Sequence, residues 1–367
     1  MARRFTHRIA SAAAVTIALA LAACSEPAPP EETTSGQDDA PDEVRVLFAS
    51  AVNNVPVMVA AEQGFWRDRG LDVTVQVLDS GSEIATALVT GAADLGAANA
   101  ATAIPLSRAA GNDLVIVGPY HNNPLAIEST ARVAIIGRAD SGVREGDPQS
   151  LVGASIGVTS GSTTESFLSG YLADHGLSMA DVEPVNLSVA DMPTALSQGN
   201  VDVVVPWEPQ VSEIIRTQGD DVTVVQRGGP YGRSVVGVAV TGEYLAANED
   251  IVERYVLGAW EGDQFTRENP EEAAVIAQRY ISGLNVEDAA SGIAQMAGEF
   301  DPRISVCTET AVVEEQEVLI ASGAMDLTEP MPYTDIVAVD FVQRLIDENP
   351  DLFSDLPPLP ATAAECQ

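Results

Sequence analysis

The segment VLDSGSEIATALVTGAADL, residues 77–95, occurs a second time as VNLSVADMPTALSQGNVDV, residues 185–203, and the two copies align without a gap. The matched pairs are Val77/Val185, Ser80/Ser188, Glu83/Asp191, Thr86/Thr194, Ala87/Ala195, Leu88/Leu196, Gly91/Gly199 and Asp94/Asp202. The same spacing pairs GNDL at 111–114 with GDDV at 219–222. An internal repeat of this kind indicates that one structural unit occurs twice. We therefore predict two lobes of similar fold.

Apolar strands alternate with helices in both copies. We predict strands at 44–49, 73–78, 93–98 and 114–118, and their counterparts between 155 and 226, with 201–205 as the innermost strand of the second copy. Asn53 or Asn54 caps the first helix, and Ser82 starts the second. Helices at 269–280, 312–320 and 335–346 follow the repeat. Strand–helix alternation predicts parallel strands with right-handed crossovers, so each lobe is expected to be a doubly wound α/β sheet.

The loops after the strands are the predicted ligand site. Ligands of open parallel sheets bind beyond the carboxyl ends of the strands. The repeat places six loops there: 50–56, 79–82 and 97–102 in the first copy, and 159–164, 187–191 and 206–209 in the second. If the two lobes face each other, these loops line one cleft.

The charge of the chain excludes several classes of function. Among 367 residues, all eighteen basic residues are arginine, whereas 54 are Asp or Glu, which gives a net charge of −36. An acidic surface disfavours nucleic acid and anionic membranes as partners, because phosphates bind basic surfaces. The absence of lysine excludes an internal Schiff base and a P-loop lysine.

The N-terminus has the pattern of an export signal. Arg3, Arg4 and Arg8 precede an apolar stretch at 9–20, which is too short to span a bilayer. The following Leu-Ala-Ala-Cys resembles the lipobox of bacterial lipoproteins. We therefore expect a signal peptide at 1–23, a lipid on Cys24, a disordered acidic tether at 24–43 and an extracytoplasmic protein held at the bacterial cytoplasmic membrane. The Sec and twin-arginine routes of export both remain open.

Two further cysteines, Cys307 and Cys366, would lie in an oxidising compartment. We expect a disulfide between them that pins the C-terminal tail; the alternative is two unrelated thiols.

Four segments resemble one protein family: AAEQGFWRDRGLDVTV, ALVTGAADLGAANAAT, GVTSGSTTESFL and QGNVDVVVPWEP. They are similar to the solute-binding proteins of ABC importers, in the branch that captures nitrate, sulfonates, taurine and thiamine-pyrimidine precursors. The resemblance covers about residues 44–345. It implies a type II periplasmic-binding fold, with lobe one at 44–138 and 240–367 and lobe two at 139–239. It also implies a monomeric, non-catalytic receptor without a cofactor, whose partners are an ABC permease and its ATPase.

The resemblance assigns an oxyanion site to the helix start at Ser160, Ser162 and Thr163, since free backbone N–H groups at a helix start attract an anion. A simple helix cap is the alternative interpretation. Asn53 and Asn54 are expected to play the matching part in lobe one. Asn99 stands where the family often has Ser or Thr, and Ser82 lies in the loop after the second strand.

Asp191 and Glu208 decide the predicted ligand. Two carboxylates on facing loops would suit an amino group. The alternatives are that Asp191 interacts with its helix dipole and contacts no ligand, and that Glu208 simply faces solvent. Trp207 could stack on a planar solute or pack at the hinge. Tyr120 and His121 are candidate rim residues, and we expect no metal site, because no His or Cys cluster accompanies His121. Arg233 could pair with an anion or form a salt bridge between the lobes.

Three functions remain at this stage. The first is an importer's receptor for a small polar solute, with an aliphatic sulfonate or taurine-like ligand first, an aminopyrimidine second and a nitrate-type anion third. The second is a sensor that uses the same cleft. The third is a pyrimidine-synthesising enzyme of the same fold, against which the missing lysine and the lack of an acid/base cluster count.

Overall fold

The computed structural model describes residues 40–366, except 79, 127–128, 230, 232–234, 282, 322 and 324. The predicted signal peptide at 1–23, the lipidation residue Cys24, all but the end of the tether at 24–43, and Arg233 therefore lie outside the described residues. Within the described ranges, no helix is both long and apolar enough to cross a membrane.

Ten strands form two five-stranded sheets in the described part of the chain. The strands are β1 (Asp42–Ala49), β2 (Leu71–Leu78), β3 (Leu95–Asn99), β4 (Leu114–His121), β5 (Ser129–Arg138), β6 (Ser155–Val158), β7 (Glu183–Asn186), β8 (Val203–Val204), β9 (Val222–Gly229) and β10 (Val236–Thr241). The first sheet has the order β2-β1-β3-β10-β4, and the second has the order β7-β6-β8-β5-β9.

The two sheets have the same design, and each contains one strand that the other half of the chain contributes. β1, β2 and β3 pair in parallel, as do β6, β7 and β8. β10 is antiparallel to both β3 and β4, and β5 is antiparallel to both β8 and β9. The predicted doubly wound lobes are present, but the prediction of purely parallel sheets is wrong. The reason is that the two crossing strands enter their sheets in the opposite direction.

The chain therefore passes to the second sheet between His121 and Ser129 and returns to the first between Gly229 and Val236. We propose lobe boundaries within these two crossings, rather than at 138/139 and 239/240. Below, lobe one is the first sheet with its helices, and lobe two is the second sheet with its helices. The expected innermost strand of the second copy is β8, which lies third of the five strands in its sheet.

Thirteen α-helices surround the two sheets in the described ranges. They are α1 (Val55–Gln63), α2 (Gly81–Val89), α3 (Ala103–Ala109), α4 (Thr163–Asp174), α5 (Met192–Ser197), α6 (Gln210–Gln218), α7 (Gly242–Ala247), α8 (Glu249–Glu268), α9 (Pro270–Tyr280), α10 (Val286–Gln295), α11 (Val306–Ala321), α12 (Tyr333–Ile336) and α13 (Val339–Glu348). The single helix predicted at 335–346 is thus two, because Val337 takes an extended conformation and bridges to Ile116 of β4.

Each lobe has its own apolar core. Phe48 and Ile116 belong to the core of lobe one, and Ile136 and Ile156 belong to that of lobe two. Burial of this apolar surface is the main favourable term that holds each lobe together.

Residues 303–308 are bonded both to the C-terminal tail and to the first crossing, the segment that follows β4. A disulfide joins Cys307, at the start of α11, to Cys366. Close by, the Asn122 side chain donates hydrogen bonds to the Arg303 carbonyl (2.6 Å) and to Thr308 Oγ1 (3.3 Å). Ser305 Oγ donates to the Pro124 carbonyl (2.6 Å). The segment that leads from β4 to β5 is therefore held on one side by residues 303–308.

Candidate ligand-binding site

A small cavity of about 50 Å³ lies between the two lobes, at the carboxyl ends of the parallel strands. Its walls are mostly small or apolar, and its polar groups come from both lobes. The lining residues are Ala49, Ala51, Asn53, Asn54, Gly81, Ala97, Ala98, Asn99, Thr102, Ala103, Arg132, Gly161, Ser162, Thr163, Trp207 and Val236. Five of the six loops named by the repeat contribute to this lining, and no residue of the loop at 187–191 is in it. The position of the cavity agrees with the strand-end rule.

Arg132 is the only charged residue among the described residues of this lining. It lies on β5, the crossing strand, and is only 3% exposed. Its Nε and Nη2 atoms are buried and have no hydrogen-bond partner in the part of the chain that the structure describes. These two N–H groups form the fork with which a guanidinium binds both oxygens of an oxyanion. Burial lowers the pKa of Arg132, whereas the nearby Glu299 and Glu315 raise it, and an arginine stays charged in either case.

The start of α4 supplies neutral donors to the same cavity. Ser162 is the N-cap residue, and its Oγ accepts a hydrogen bond from the Thr164 N–H (3.2 Å). The Gly161 N–H is already bound to Glu165 Oε2 (2.7 Å). No hydrogen bond within the described part of the chain uses the N–H groups of Ser162 or Thr163. These two amides lie at the positive end of the α4 dipole, where an anion is favoured.

The asparagines of lobe one do not cap helices as predicted. Asn54 is the N-cap residue of α1, which follows a 3-10 turn at Val52–Asn54, but neither asparagine side chain forms a capping hydrogen bond. Asn54 instead donates to the Ala49 carbonyl (2.6 Å) and accepts from the Tyr120 hydroxyl (2.6 Å). Asn99 Oδ1 accepts from the Ala101 and Thr102 N–H groups (2.7 and 3.1 Å). These bonds hold Asn54 and Asn99 against the cavity, and Asn53 also lines it.

Trp207 lines the cavity from lobe two and touches lobe one directly. Its indole N–H donates to the Ser50 carbonyl (3.2 Å), at the end of β1. At another point of the cavity, a Cβ built on Gly161 would lie 3.0 Å from Ser82 Oγ of lobe one. The lobes therefore meet around the cavity, which is the arrangement expected of a closed cleft. Ser82 lies at this contact, and the N-cap of α2 is Ser80 rather than Ser82.

The two carboxylates expected to bind an amino group do not line the cavity. Glu208 is buried elsewhere: it accepts hydrogen bonds from the Ser212 Oγ and N–H (both 3.1 Å) and forms an ion pair with Arg227. Burial raises its pKa, and Arg227 counteracts that rise. Asp191 is exposed, and its Oδ2 accepts from Ser188 Oγ (2.7 Å) at a helix start. Neither carboxylate stands where it would bind a solute in this cavity.

Tyr120 and His121 belong to the buried interior rather than to a rim. The Tyr120 hydroxyl reaches the cavity only through Asn54, as described above. His121 Nε2 lies 2.7 Å from Glu299 Oε2, and the Phe300 ring meets the imidazole edge-on. Burial lowers the pKa of His121. Ser160 is exposed beside the start of α4, where its N–H donates to Asn186 Oδ1 (3.0 Å).

Arg132 is not among the residues that the sequence led us to expect at the site. The available signal was an arginine inside the apolar run ARVAII at 131–136, where a charge has to have a structural or functional reason. β5 is a crossing strand and not part of the repeat, so its residues lie outside the six predicted loops.

Comparisons with known proteins place the chain in a family. The pattern described as NMT1/THI5 like matches residues 51–273, which include both copies of the repeat and every lining residue except Ala49. The chain belongs to the NMT1/THI5-like family. Its fold is that of the periplasmic binding proteins, and the relatives described next are binding proteins rather than enzymes.

Two curated relatives come from Escherichia coli strain K12. A putative aliphatic sulfonates-binding protein is 27% identical over 54% of this chain and 58% of its own length. The taurine-binding periplasmic protein is 25% identical over 62% of this chain and 68% of its own length. Among solved structures, the alkanesulfonate-binding protein SsuA of Xanthomonas axonopodis pv. citri, bound to MOPS, has a TM-score of 0.65 and 20% identity, and the match covers 82% of this chain and 98% of that one. The first relative is thus matched over little more than half of its length.

Proposed function

We propose that this family member is an extracytoplasmic, lipid-anchored solute-binding receptor that captures a small oxyanion, of the aliphatic sulfonate type, by closure of its two lobes. The observation that carries the proposal is Arg132: among the described residues its buried guanidinium fork has no hydrogen-bond partner, and no carboxylate lines the cavity. The free amides at the start of α4 support the same ligand class. The relatives that bind sulfonates and taurine, as their names state, point the same way.

The residues that line the cavity change the order of preference that we expect among the candidate ligands. The ammonium group of taurine would lose its water and find no carboxylate among the described lining residues, which is unfavourable. A plain alkylsulfonate has no such group. We therefore favour a short alkylsulfonate over taurine itself. An aminopyrimidine could contact Trp207 but would not supply the paired oxygens that the Arg132 fork can bind.

A nitrate-type anion becomes a closer alternative than the sequence suggested. The objection to it was repulsion by two cleft carboxylates, and neither Asp191 nor Glu208 lines the cavity. The cavity is also far smaller than the ~300–1,000 Å³ that drug-sized ligands occupy. It suits an oxyanion group with a short chain.

Delivery to an ABC permease and its ATPase is part of the same proposal and rests on the family. A periplasmic-type receptor closes around its solute, and the closed form is the one that a membrane partner recognises. Transfer of the signal to a sensor would use the same closed form.

The test is a calorimetric titration of the full chain carrying Cys24→Ser, so that no lipid is attached. Ethanesulfonate, taurine, nitrate, an aminopyrimidine and ethylammonium are the ligands. We expect one-to-one binding of ethanesulfonate, at least as tight as that of taurine, and no binding of ethylammonium. Tighter binding of taurine than of ethanesulfonate would restore a role for a carboxylate, and binding of the cation alone would overturn the proposal.

A further inference from the structure

A second contact between the lobes lies outside the cavity, between α6 and α10. α6 belongs to lobe two, because Val211 and Ile214 are part of that lobe's core. α10 belongs to lobe one, because Ala289 and Ile293 are part of the other core. The two helices therefore approach each other across the junction of the lobes, and none of the residues that join them lines the cavity.

Three pairs of residues form this contact in opposite chain order: Arg216 with Asp288, Ser212 with Ser291, and Glu208 with Gly292. Ser212 and Arg216 are four residues apart on α6 and therefore share a face, and Glu208 lies just before the helix begins. Their three partners lie within one turn of α10.

The strongest bond of this contact is an ion pair. Arg216 Nε and Nη2 each lie 2.7 Å from an oxygen of Asp288, in a bidentate arrangement. Asp288 is buried, whereas the Arg216 side chain is 40% exposed. Such paired N–H···O bonds are among the stronger ones between side chains, and their geometry is specific.

Two weaker contacts continue the same face. Ser212 Oγ lies 3.2 Å from Ser291 Oγ and 3.1 Å from Glu208 Oε1, and its single proton can be donated to one of these two acceptors at a time. A Cβ on Gly292 would lie 3.1 Å from Glu208 Cβ and 3.0 Å from Val52 Cγ2, so a glycine lets the helices approach. The Val52 N–H in turn reaches the Glu208 carbonyl (3.4 Å). Glu208 adjoins Trp207, so this face is continuous with the wall of the cavity.

We propose that Arg216 and Asp288, which touch no solute, are positioning residues that latch lobe two to lobe one and thereby set the affinity of the cavity. The inference rests on the proposed function, since it assumes that the lobes open and close around a solute. A bond made only in the closed form lowers the free energy of that form. The apparent affinity rises with the population of the closed form.

The experiment compares Asp288→Asn with the full chain carrying Cys24→Ser. The matched control is Asp94→Asn, because Asp94 forms the same bidentate pair with Arg45 but entirely within lobe one. Solution X-ray scattering is recorded without ligand and with ethanesulfonate, and calorimetry gives the affinity for ethanesulfonate. We expect Asp288→Asn, and not Asp94→Asn, to enlarge the ligand-free radius of gyration and to weaken binding about tenfold, a coupling of ordinary size.

The readouts separate this inference from the proposed function. If the parent chain binds no ethanesulfonate, the proposed function fails, yet the ligand-free scattering still decides whether the pair holds the lobes together. An unchanged radius of gyration for Asp288→Asn overturns the latch even where binding is observed. If Asp288→Asn does not fold, Arg216→Gln, which removes the more exposed partner, is measured in its place with the same two outcomes. Arg216→Lys, which keeps the charge and loses the fork, is expected to restore part of the affinity.

Discussion

Arg132 is a buried, charged side chain at the cavity, and two of its nitrogen atoms lack hydrogen-bond acceptors among the described residues. A buried charge without hydrogen-bond partners is unfavourable, and an arginine cannot escape that cost by losing its proton. Glu299 and Glu315 lie near enough to influence its pKa, but within the described part of the chain Nε and Nη2 have no hydrogen-bond partner. An oxyanion between this fork and the start of α4 would supply the missing acceptors. We therefore propose that Arg132 serves ligand binding rather than stability.

Replacement of Arg132 should abolish most of the binding. We expect Arg132→Gln to weaken ethanesulfonate binding about 100-fold, the equivalent of about 3 kcal/mol for a hydrogen bond to a charged group. Arg132→Lys should recover only part of this, because an ammonium lacks the fork. Calorimetry measures both. The control is Arg138→Gln on the same strand, whose side chain pairs with Asp140 and is absent from the cavity lining; an equal loss in the control would contradict the assignment.

Glu208 should not distinguish ligands with an amino group from ligands without one. Its carboxylate is bound to Ser212 and Arg227, away from the cavity. We therefore expect Glu208→Gln to change the dissociation constants of taurine and ethanesulfonate by the same factor, through the contact between the lobes. Parallel titrations of the two ligands measure this ratio. A selective loss of taurine binding would show that Glu208 contacts the amino group.

At the scale of elements, the start of α4 combines the proposed anion site with the contact between the lobes. Gly161 has a φ of +69°, and the place of its missing side chain is next to Ser82. A side chain here would meet two separate obstacles, a strained backbone and the opposite lobe. These two effects can be separated by comparison with another glycine of positive φ.

Gly161→Ala should impair both stability and closure. The control is Gly176→Ala, because Gly176 also has a positive φ (+72°) but has nothing within 4 Å of a built Cβ. Both variants should lose about 1–2 kcal/mol of the free energy of unfolding, measured by denaturant titration. Only Gly161→Ala should also weaken ethanesulfonate binding. Equal affinities in the two variants would show that the approach of Ser82 does not limit closure.

The sequence predicts the elements of this fold better than it predicts their partners. The repeat shows two lobes, and the strand-end rule leads to Ser162, Thr163, Asn99 and Trp207, which line the cavity. An apolar run cannot show which sheet it joins, so the exchange of β5 and β10 escaped prediction. Arg132 lies on β5 and was not predicted for the same reason. Glu208 follows a strand as a ligand residue would, and only the positions of Ser212 and Arg227 in the fold show where its carboxylate goes.

At the scale of the whole molecule, residues 303–308 connect the C-terminal tail to the first crossing between the lobes. The disulfide closes a loop between residues 59 positions apart, and the neighbouring residues 303–308 bind the first crossing near Asn122. Cross-linking such a loop restricts the unfolded chain and so stabilises the folded one. The cysteines do not line the cavity, so stability and ligand affinity should respond differently to their removal.

The double variant Cys307→Ala/Cys366→Ala should lose about 4 kcal/mol of the free energy of unfolding, as the loop length implies. Its affinity for ethanesulfonate should be that of the parent chain. Denaturant unfolding and calorimetry test the two statements on the same preparation. An unchanged unfolding midpoint would mean that the disulfide adds nothing to stability. A large loss of affinity would mean that the disulfide also affects the geometry of the cavity.

The central claim is that an oxyanion lies between the Arg132 fork and the start of α4. A crystal structure of the protein grown with ethanesulfonate tests it most directly. The account predicts sulfonate oxygens within about 3 Å of Arg132 Nε and Nη2 and of the Ser162 and Thr163 amides, the distance of a charge-assisted hydrogen bond. A sulfonate bound elsewhere, or an Arg132 that keeps both atoms unpartnered while the ligand is present, would contradict it.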